Sequence, residues 1–345
     1  MPNSQYYIGA NDEHGVNPPT LGKRTPVLPN LNRQIYENEF NRAAKNAFIK
    51  GCLRNGFSVY DVKPELQDLS VSTRVTRINR QNLTLLVTFA YNAFGAGNSF
   101  NSASGVTVYF SPDNVRASAS RQLAEEIYES VVGGTEQRGR GVQSLTGVGV
   151  MDNVNCVSAL IEAGFMTNLR EAQLMIDPDF TTEVGEETVR GVCNYLGVPY
   201  VPRALENYPQ IRYGNRGNFV TLIQFLLSEY GYDVDVDGIF GNGTRNAVVA
   251  FQEANGLSPD GVVGPNTWKT LLTLPPYPVL RRGSSGAYVR YLQQKLESFL
   301  IPVGEIDGVF GAVTQNAVIA YQRANGLTAD GIVGPATWAS LTRKR

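Results

Sequence analysis

The stretch DGIFG at Asp237–Gly241 recurs as DGVFG at Asp307–Gly311, and this recurrence decides how the C-terminal part of the chain is organised. A second stretch, DGVVGPNTW at Asp260–Trp268, recurs as DGIVGPATW at Asp330–Trp338. Both pairs are separated by the same offset of 70 residues (307 − 237 and 330 − 260). Two copies are too few for a solenoid, so the sequence predicts a duplicated small domain.

Within the first copy, apolar residues recur at intervals of three and four, which is typical of amphipathic helices. They fall into three sets: Val220, Ile223 and Leu227; Ala247, Val248 and Phe251; and Trp268, Leu271 and Leu272. Glycines mark the turns between the sets. Thr244 and Thr267 stand where N-terminal helix caps are expected. Each copy is therefore predicted to be a small three-helix domain.

The boundaries of the domains follow from the repeats and from one proline-rich segment. Residues 273–279 (TLPPYPV) are predicted to be a linker, because proline blocks both helix and ladder hydrogen bonds. We place the two repeats at 207–273 and 279–343. Residues 1–203 are then left as a separate domain.

Residues 1–203 alternate short β-rich runs with helical stretches. The predicted strands are 6–9, 57–62, 85–90, 106–110 and 157–161, and the predicted helices are 36–55, 117–131 and 181–196. This alternation predicts an α/β domain with a mostly parallel, twisted sheet flanked by helices. In such sheets ligands bind beyond the carboxyl ends of the strands.

Composition and charge exclude two classes of partner. The chain has 30 basic and 31 acidic residues and a net charge of −1, with no basic patch of the kind that binds nucleic acid or a membrane surface. No apolar run approaches the roughly 20 residues needed to span a bilayer. Cys52, Cys156 and Cys193 are odd in number and widely spaced, so we expect buried thiols rather than disulfides.

The two repeats resemble the small peptidoglycan-binding domain that accompanies many cell-wall hydrolases. The pattern of that domain, G-x-x-G-x-x-V-x-x-L-Q, then D-G-x-F-G-x-x-T-x-x-A-V-x-x-F-Q, then D-G-x-V-G-x-x-T-W, is nearly complete twice. The resemblance implies that peptidoglycan is the partner. Most of the matching residues, including Trp268 and Trp338, are expected to build the core, so the pattern leaves open which side chains touch the wall.

The first domain resembles the zinc-dependent N-acetylmuramoyl-L-alanine amidases. Six stretches match the motifs of that family in order: 36–41 (YENEFN), 54–59 (RNGFSV), 72–79 (STRVTRIN), 86–92 (LVTFAYN), 105–110 (GVTVYF) and 159–168 (ALIEAGFMTN). Each stretch alone is a weak signal. Their shared order and spacing make the resemblance specific.

The resemblance implies hydrolysis of the amide between the lactyl group of N-acetylmuramic acid and L-alanine. The family holds zinc with a histidine, a glutamate and a second histidine, and a further glutamate handles the proton. Zinc lowers the pKa of its bound water to about 7 and polarises the carbonyl. Glu37 matches the ligand glutamate and Glu162 the catalytic glutamate. We expect the Glu162 carboxylate to lie in a solvated cleft, since it ends an apolar strand.

One of the two histidine ligands is missing. Its position is occupied by Ala90, and a methyl group cannot coordinate a metal. The only histidine in the chain, His14, lies near the first ligand position, although Asn11 could align there instead. Asp12 or Glu13 could replace a lost ligand and give a carboxylate-rich site, which suits harder cations better than zinc.

These observations leave three hypotheses open. The first is a wall-binding protein whose amidase-like domain has an incomplete zinc site and impaired or no activity. The second is an active amidase with an altered metal site, and the third is a scaffold that binds a partner protein in the old pocket. In the first two cases we expect the chain to act in the cell wall or outside the cell.

The N-terminus bears on how such a chain reaches the wall. Met1–Gln5 are polar and lack the charged and apolar regions of a standard signal peptide. We therefore expect another route, which would be release by a phage, carriage on a phage particle, or synthesis in a spore-forming mother cell.

Overall fold

The computed structural model describes residues 3–16, 23–95, 97–273 and 277–343 and divides the chain into two compact units, residues 1–200 and 201–345. Of the predicted linker, residues 274–276 lie outside the described residues. The chain has no described helix that is long and apolar enough to cross a membrane.

The first unit contains a six-stranded sheet. Its strands are β1 (Tyr7–Asp12), β2 (Ser58–Asp61), β3 (Leu85–Asn92), β4 (Val106–Phe110), β5 (Gly139–Ser144) and β6 (Val157–Phe165). Their order across the sheet is β2-β1-β3-β6-β4-β5. Only the pairing of β4 with β6 is antiparallel. The predicted α/β architecture with a mostly parallel sheet is confirmed.

Helices cover both faces of this sheet. They are α1 (Glu37–Arg54), α2 (Val71–Asn79), α3 (Ala117–Gly134), α4 (Gly149–Asp152), α5 (Leu169–Leu174) and α6 (Pro178–Leu196). Phe48 of α1 packs on Phe89 of β3, while Ile78 of α2 packs with Leu86 of the same strand. Because side chains alternate along a strand, residues 86 and 89 point to opposite faces, and so α1 and α2 lie on opposite sides.

Three strands differ from the sequence expectation, and one of them, β6, runs on to Phe165 instead of ending at residue 161. Strand β1 runs on to Asp12, since the side chains of Asn11 and Asp12 are buried and bonded rather than solvated. Strand β5 was not predicted, because its sequence GRGVQS has no apolar run. It lies at the edge of the sheet and is only partly buried, so it needs no such run.

The second unit contains two three-helix repeats, as predicted. Its helices are α7 (Asn218–Glu229), α8 (Asn242–Ala254) and α9 (Pro265–Leu272), then α10 (Ala287–Ser298), α11 (Ala312–Ala324) and α12 (Pro335–Leu341). Trp268 and Trp338 are buried in the two cores, and their indole N–H groups donate to Pro209 O (2.7 Å) and Pro278 O (2.8 Å).

A buried glutamine holds each turn of the repeated motif. Gln224 Nε2 donates to Asp237 Oδ1 (2.8 Å), to Ile239 O (3.1 Å) and to Thr244 Oγ1 (2.9 Å), and its Oε1 accepts from Gly238 N (2.8 Å). The same arrangement occurs three more times, around Gln252, Gln293 and Gln322. We call each one a glutamine clasp.

The clasps correct the prediction that Thr244 and Thr267 cap helices. The N-cap residues are Gly241 and Gly264, and the structure gives neither a side-chain cap bond. The threonines lie inside the first turn, where their hydroxyl groups accept from the clasp glutamine and donate to a turn carbonyl. The predicted buried thiols are confirmed, since Cys52, Cys156 and Cys193 are all free and buried.

Candidate active site

The loop after β1 brings the only histidine of the chain onto the start of α1. His14 adopts a left-handed backbone conformation with φ of 61°, which is unusual for a residue other than glycine. Its Nε2 atom lies 3.4 Å from Glu37 Oε2. Burial lowers the pKa of His14, which favours the neutral imidazole. The structure therefore brings together the two residues, His14 and Glu37, that the sequence assigned to a metal site.

Bonds on both sides hold this loop in place. The guanidinium of Arg74 donates to Asn11 Oδ1 (2.8 Å), to Asp12 O and to Asp68 Oδ1 (2.7 Å). On the far side, Val16 N donates to Leu66 O (3.0 Å). A strained histidine persists only where its surroundings over-determine it. The conformation of His14 is thus imposed by its neighbours.

Asp12 is fully committed to cations beneath this loop. Its carboxylate lies 3.1 Å from Lys45 Nζ and 3.3 Å from both Lys63 Nζ and Arg42 Nη2. Because Asp12 is completely buried among these partners, it is not available to replace a lost metal ligand. Asn11 is likewise engaged, with Arg74 and with Thr88 Oγ1 (3.3 Å).

Glu37 lies at the first turn of α1 and is almost completely buried. Its Oε1 atom accepts from Tyr91 N (3.0 Å) and from Asn41 Nδ2 (3.2 Å). Its Oε2 atom, which faces His14, has no hydrogen-bond partner among the described residues. Burial raises the pKa of Glu37 to about 7, against the smaller opposing effect of the bond from Tyr91.

Glu162 lies on β6, directly opposite Ala90 on the neighbouring strand β3. Its Oε2 atom is buried and has no partner within the described ranges. Burial raises the pKa of Glu162 well above its usual value, and the charge of Glu37 raises it further. Glu162 as a whole is half-buried, so the expected cleft stays a prediction, while the burial of its Oε2 atom penalises the ionised form.

Ala90, where the family resemblance places the second histidine, lies against an apolar cluster. Its methyl group clusters with Met151 and Leu160, and three further residues pack against them: Tyr109, Leu145 and Val148. The missing imidazole has thus not been replaced by another donor at this position.

The described residues do not provide the ligand set that zinc takes in its enzymes. No group of three or more His, Cys, Asp or Glu residues in the described part of the chain is placed to hold a metal ion. Only His14 and Glu37 are in contact, and Ala90 supplies no donor. The charge of Glu13 contributes to the raised pKa of Glu162, so the two carboxyl groups lie near each other. The Oε1 atom of Glu13 accepts a hydrogen bond from Asn11 Nδ2 (3.5 Å). A catalytic zinc ion needs three protein ligands, so the fit fails at one corner.

Sequence reasoning missed the residues that build the frame of this site. Arg74 belongs to a stretch that resembles a family motif, yet the residues around it in the sequence do not indicate that it donates hydrogen bonds to the end of β1. Lys45 and Lys63 gave no signal either, since their partner Asp12 is distant in sequence. A charged residue on the apolar face of a predicted helix, as Lys45 is beside Ala44 and Phe48, is the one feature that could have pointed to a buried ion pair.

Comparisons with known proteins bear on the whole chain. A family model described as N-acetylmuramoyl-L-alanine amidase matches residues 15–194, and a model described as a peptidoglycan binding domain matches residues 216–271 and 285–341. The N-acetylmuramoyl-L-alanine amidase CwlM of Mycobacterium tuberculosis is 33% identical over 159 residues, covering 39% of this chain and 38% of that protein. A probable N-acetylmuramoyl-L-alanine amidase of Bacillus licheniformis is 32% identical over 155 residues, covering 38% and 44%.

Among solved structures, an N-acetylmuramoyl-L-alanine amidase from Clostridium difficile 630 aligns with 56% of this chain and 97% of that one, with a TM-score of 0.49 and 24% identity. The matched segments span less than half of the length of either curated relative. The first family model alone covers more than half of this chain. The chain belongs to the N-acetylmuramoyl-L-alanine amidase family and carries two peptidoglycan-binding repeats behind its amidase domain.

Proposed function

We propose that this chain binds bacterial peptidoglycan through its two repeats and that its amidase domain is impaired or inactive as a zinc hydrolase. It would act in the cell wall or outside the cell. One observation carries the second part of the proposal. Where the family has its second histidine ligand, this chain has Ala90, whose methyl group packs against Met151 and Leu160.

The loss of a ligand weakens a metal site severely. Even changes in the groups that only orient the ligands reduce metal affinity or activity by roughly 10–100-fold. Here His14 and Glu37 would be the only protein ligands, and zinc enzymes use three. What the domain retains is the substrate-binding edge of the sheet, which can hold peptidoglycan without cleaving it.

The alternative is an active amidase with an altered metal site, cleaving the bond between N-acetylmuramic acid and L-alanine. It is favoured by the retention of Glu37 and Glu162, each with a buried oxygen that lacks a partner among the described residues. In that case His14 and Glu37 would bind the metal, and Glu13 would be the nearest source of a further carboxylate.

Elemental analysis of the purified chain, together with an assay of amine release from purified peptidoglycan, separates the two. We expect no stoichiometric zinc, no release of free N-terminal alanine when zinc is added, and sedimentation of the chain with the peptidoglycan. Zinc-dependent release that Glu162→Gln abolishes, with bound metal lost in His14→Ala, would establish the active alternative instead. The exposed variant Glu129→Gln is the matched control for the loss of one carboxylate.

A further inference from the structure

A short loop precedes the first helix of each repeat and is stitched to the rest of the repeat at both ends. In the first repeat, Ile211 and Val263 exchange two backbone hydrogen bonds (3.1 and 2.8 Å), and Gly214 N donates to Phe240 O (3.0 Å). In the second repeat, Leu280 and Val333 exchange the same pair (3.1 and 2.8 Å), and Gly283 N donates to Phe310 O (3.0 Å). The loops, residues 211–216 and 280–285, are therefore held in the same way in both repeats.

The backbone pairing places an arginine beside one aliphatic side chain and brings a second aliphatic side chain to the other end of the loop. Because Ile211 pairs antiparallel with Val263, the next residue, Arg212, is the cross-strand neighbour of Val262. At the other end of the loop Arg216 pairs with Ile239, whose side chain is 39% exposed. We call the outer side of this loop, with Arg212 and Val262 at one end and Ile239 at the other, the loop face of the first repeat.

The second repeat carries the same loop face. The pairing of Leu280 with Val333 places Arg281 beside Ile332, which is 38% exposed. Val309 occupies the position of Ile239 and is 52% exposed. Both copies thus place an exposed arginine beside a β-branched side chain at one end of the loop and a second, exposed β-branched side chain at the other end.

The fold does not require these side chains to be apolar or charged. Other exposed residues that recur have a structural role: Asp237 and Asp307 accept from the clasp glutamines, and Asn255 and Asn325 bond back to their own helices. Arg212 and Arg281 are exposed and make no ion pair with a described residue. Exposed apolar groups around an unpaired guanidinium are typical of a surface that binds a partner.

We propose that the loop face of each repeat binds the stem peptide of peptidoglycan. This inference rests on the proposed function and names the part of the wall that the repeats recognise. The stem peptide combines carboxylate groups with the methyl groups of alanine. The guanidinium of Arg212 or Arg281 takes a carboxylate, and the flanking aliphatic side chains pack on the methyl groups.

The duplication fits this assignment. A face of three side chains gives a weak contact, but two such faces on one chain raise the effective concentration at the second site. The stem peptide repeats along every glycan strand, so both faces can be occupied at once. A chain in which only one loop face is disrupted should therefore keep part of its affinity for the wall.

The test is sedimentation of the full chain with purified peptidoglycan from which teichoic acid has been removed, over a range of protein concentrations. For the double variant Arg212→Glu/Arg281→Glu we expect binding at least about tenfold weaker than that of the unmodified chain. Its matched control, Arg245→Glu/Arg323→Glu, makes the same change of charge on exposed positions of α8 and α11. We expect that control to bind within about twofold of the unmodified chain. Circular dichroism confirms that each variant is folded.

A soluble stem pentapeptide, added as a competitor, identifies the ligand. It should displace the unmodified chain from the peptidoglycan, whereas a glycan strand stripped of its peptides should not. Equal binding by the double variant and the unmodified chain would overturn the inference, as would equal losses in both double variants or displacement by the stripped glycan. Failure of the unmodified chain to sediment would instead overturn the proposed function itself.

Discussion

The two units of this protein treat their buried polar groups in opposite ways. In the repeats, each of four buried glutamines shares the two N–H groups of Nε2 among three acceptors and accepts one bond at Oε1 within a clasp. In the first unit, six buried oxygens have no hydrogen-bond partner among the described residues: Asp12 Oδ2, Glu37 Oε2, Asn38 Oδ1, Asn41 Oδ1, Asp152 Oδ1 and Glu162 Oε2. Of these, Asp12 Oδ2 lies 3.3 Å from two cations. Every buried side-chain oxygen of this kind in the described ranges belongs to the first unit.

The difference separates buried polar groups that stabilise the fold from buried polar groups that are available to a ligand. A buried polar group without a partner costs about 1–3 kcal/mol of stability. Natural proteins retain that cost where binding or catalysis needs the group. The clasp glutamines carry no such cost, because their polar atoms are hydrogen-bonded, and their role is to stabilise the turns. The amidase domain thus keeps unpartnered buried oxygens at Glu37 and Glu162, the two glutamates that the family resemblance marks as site residues.

The largest expected effect tests whether Arg74 holds the loop that carries His14 in place. Arg74 is buried and binds Asn11, Asp12 and Asp68, so Arg74→Met removes the cation from a buried pair. We expect a loss of about 4 kcal/mol in the free energy of unfolding. The imidazole signals of His14 should also shift in the NMR spectrum, where they are unambiguous because the chain has one histidine.

Arg77→Met is the matched control on the same helix. Arg77 pairs with Glu65 at 2.6 Å, but both side chains are about one-third exposed, so solvent screens the pair. We expect a loss below about 1 kcal/mol and unchanged His14 signals. Equal effects of the two variants would show that Arg74 only stabilises the helix and does not position the histidine.

The next test disrupts a clasp. Gln252→Ala removes the partner of Asp260, Thr267 and the backbone of Gly261, and it also leaves a small cavity. We expect a loss of about 3 kcal/mol in the stability of the repeats, measured by scanning calorimetry. Gln322→Ala should give the same loss, because its four bonds have the same geometry.

The exposed variant Gln210→Ala controls for the loss of a glutamine outside a clasp. Surface substitutions of this kind change stability by less than about 0.5 kcal/mol. If Gln252→Ala loses no more stability than Gln210→Ala, the clasp glutamines do not stabilise the turns. The proposed contrast between the two units would then be wrong for the repeats.

The sequence predicted the repeats well because their structure is local. Each DGxxG turn follows its glutamine by 8 to 14 residues and leads directly into the next helix, and the spacing in the two copies differs by at most one residue. The one error, the capping role of Thr244 and Thr267, is also local. The hydroxyl oxygen of a capping threonine accepts from a backbone N–H of the helix, whereas that of a clasp threonine accepts from a distant glutamine. The sequence pattern does not show which donor the threonine meets.

The amidase domain could be predicted in outline but not in its electrostatics. The motif stretches gave the positions of His14, Glu37 and Glu162, which remain predictions as site residues. The left-handed φ of His14 and the cations around Asp12 depend on contacts between β1, α1 and α2, which are distant in sequence. The burial of Glu162 depends on the strands beside it, so its environment could not be read from its apolar flanks.

The smallest effect, and the most specific, concerns the charge of Glu162. Its pKa in the folded chain is raised well above the usual 4.5 by burial. The stability contributed by the neutral form is therefore fully present below about pH 4.5 and is lost as the pH rises through the higher folded value. Glutamine does not titrate, so Glu162→Gln should be more stable than the unmodified chain at pH 8, by about 1–2 kcal/mol.

That advantage should disappear near pH 4.5, where both side chains are neutral, and thermal unfolding at the two pH values measures it. The control Glu129→Gln lies on the exposed surface of α3 and should show no such dependence. A buried structural carboxylate, like the clasp glutamines, would lose stability on substitution at every pH, because its partners would be left unsatisfied. A gain in stability confined to alkaline pH would instead show that Glu162 is retained although its ionised form destabilises the fold. That behaviour is expected of a functional residue and not of a structural residue such as the clasp glutamines.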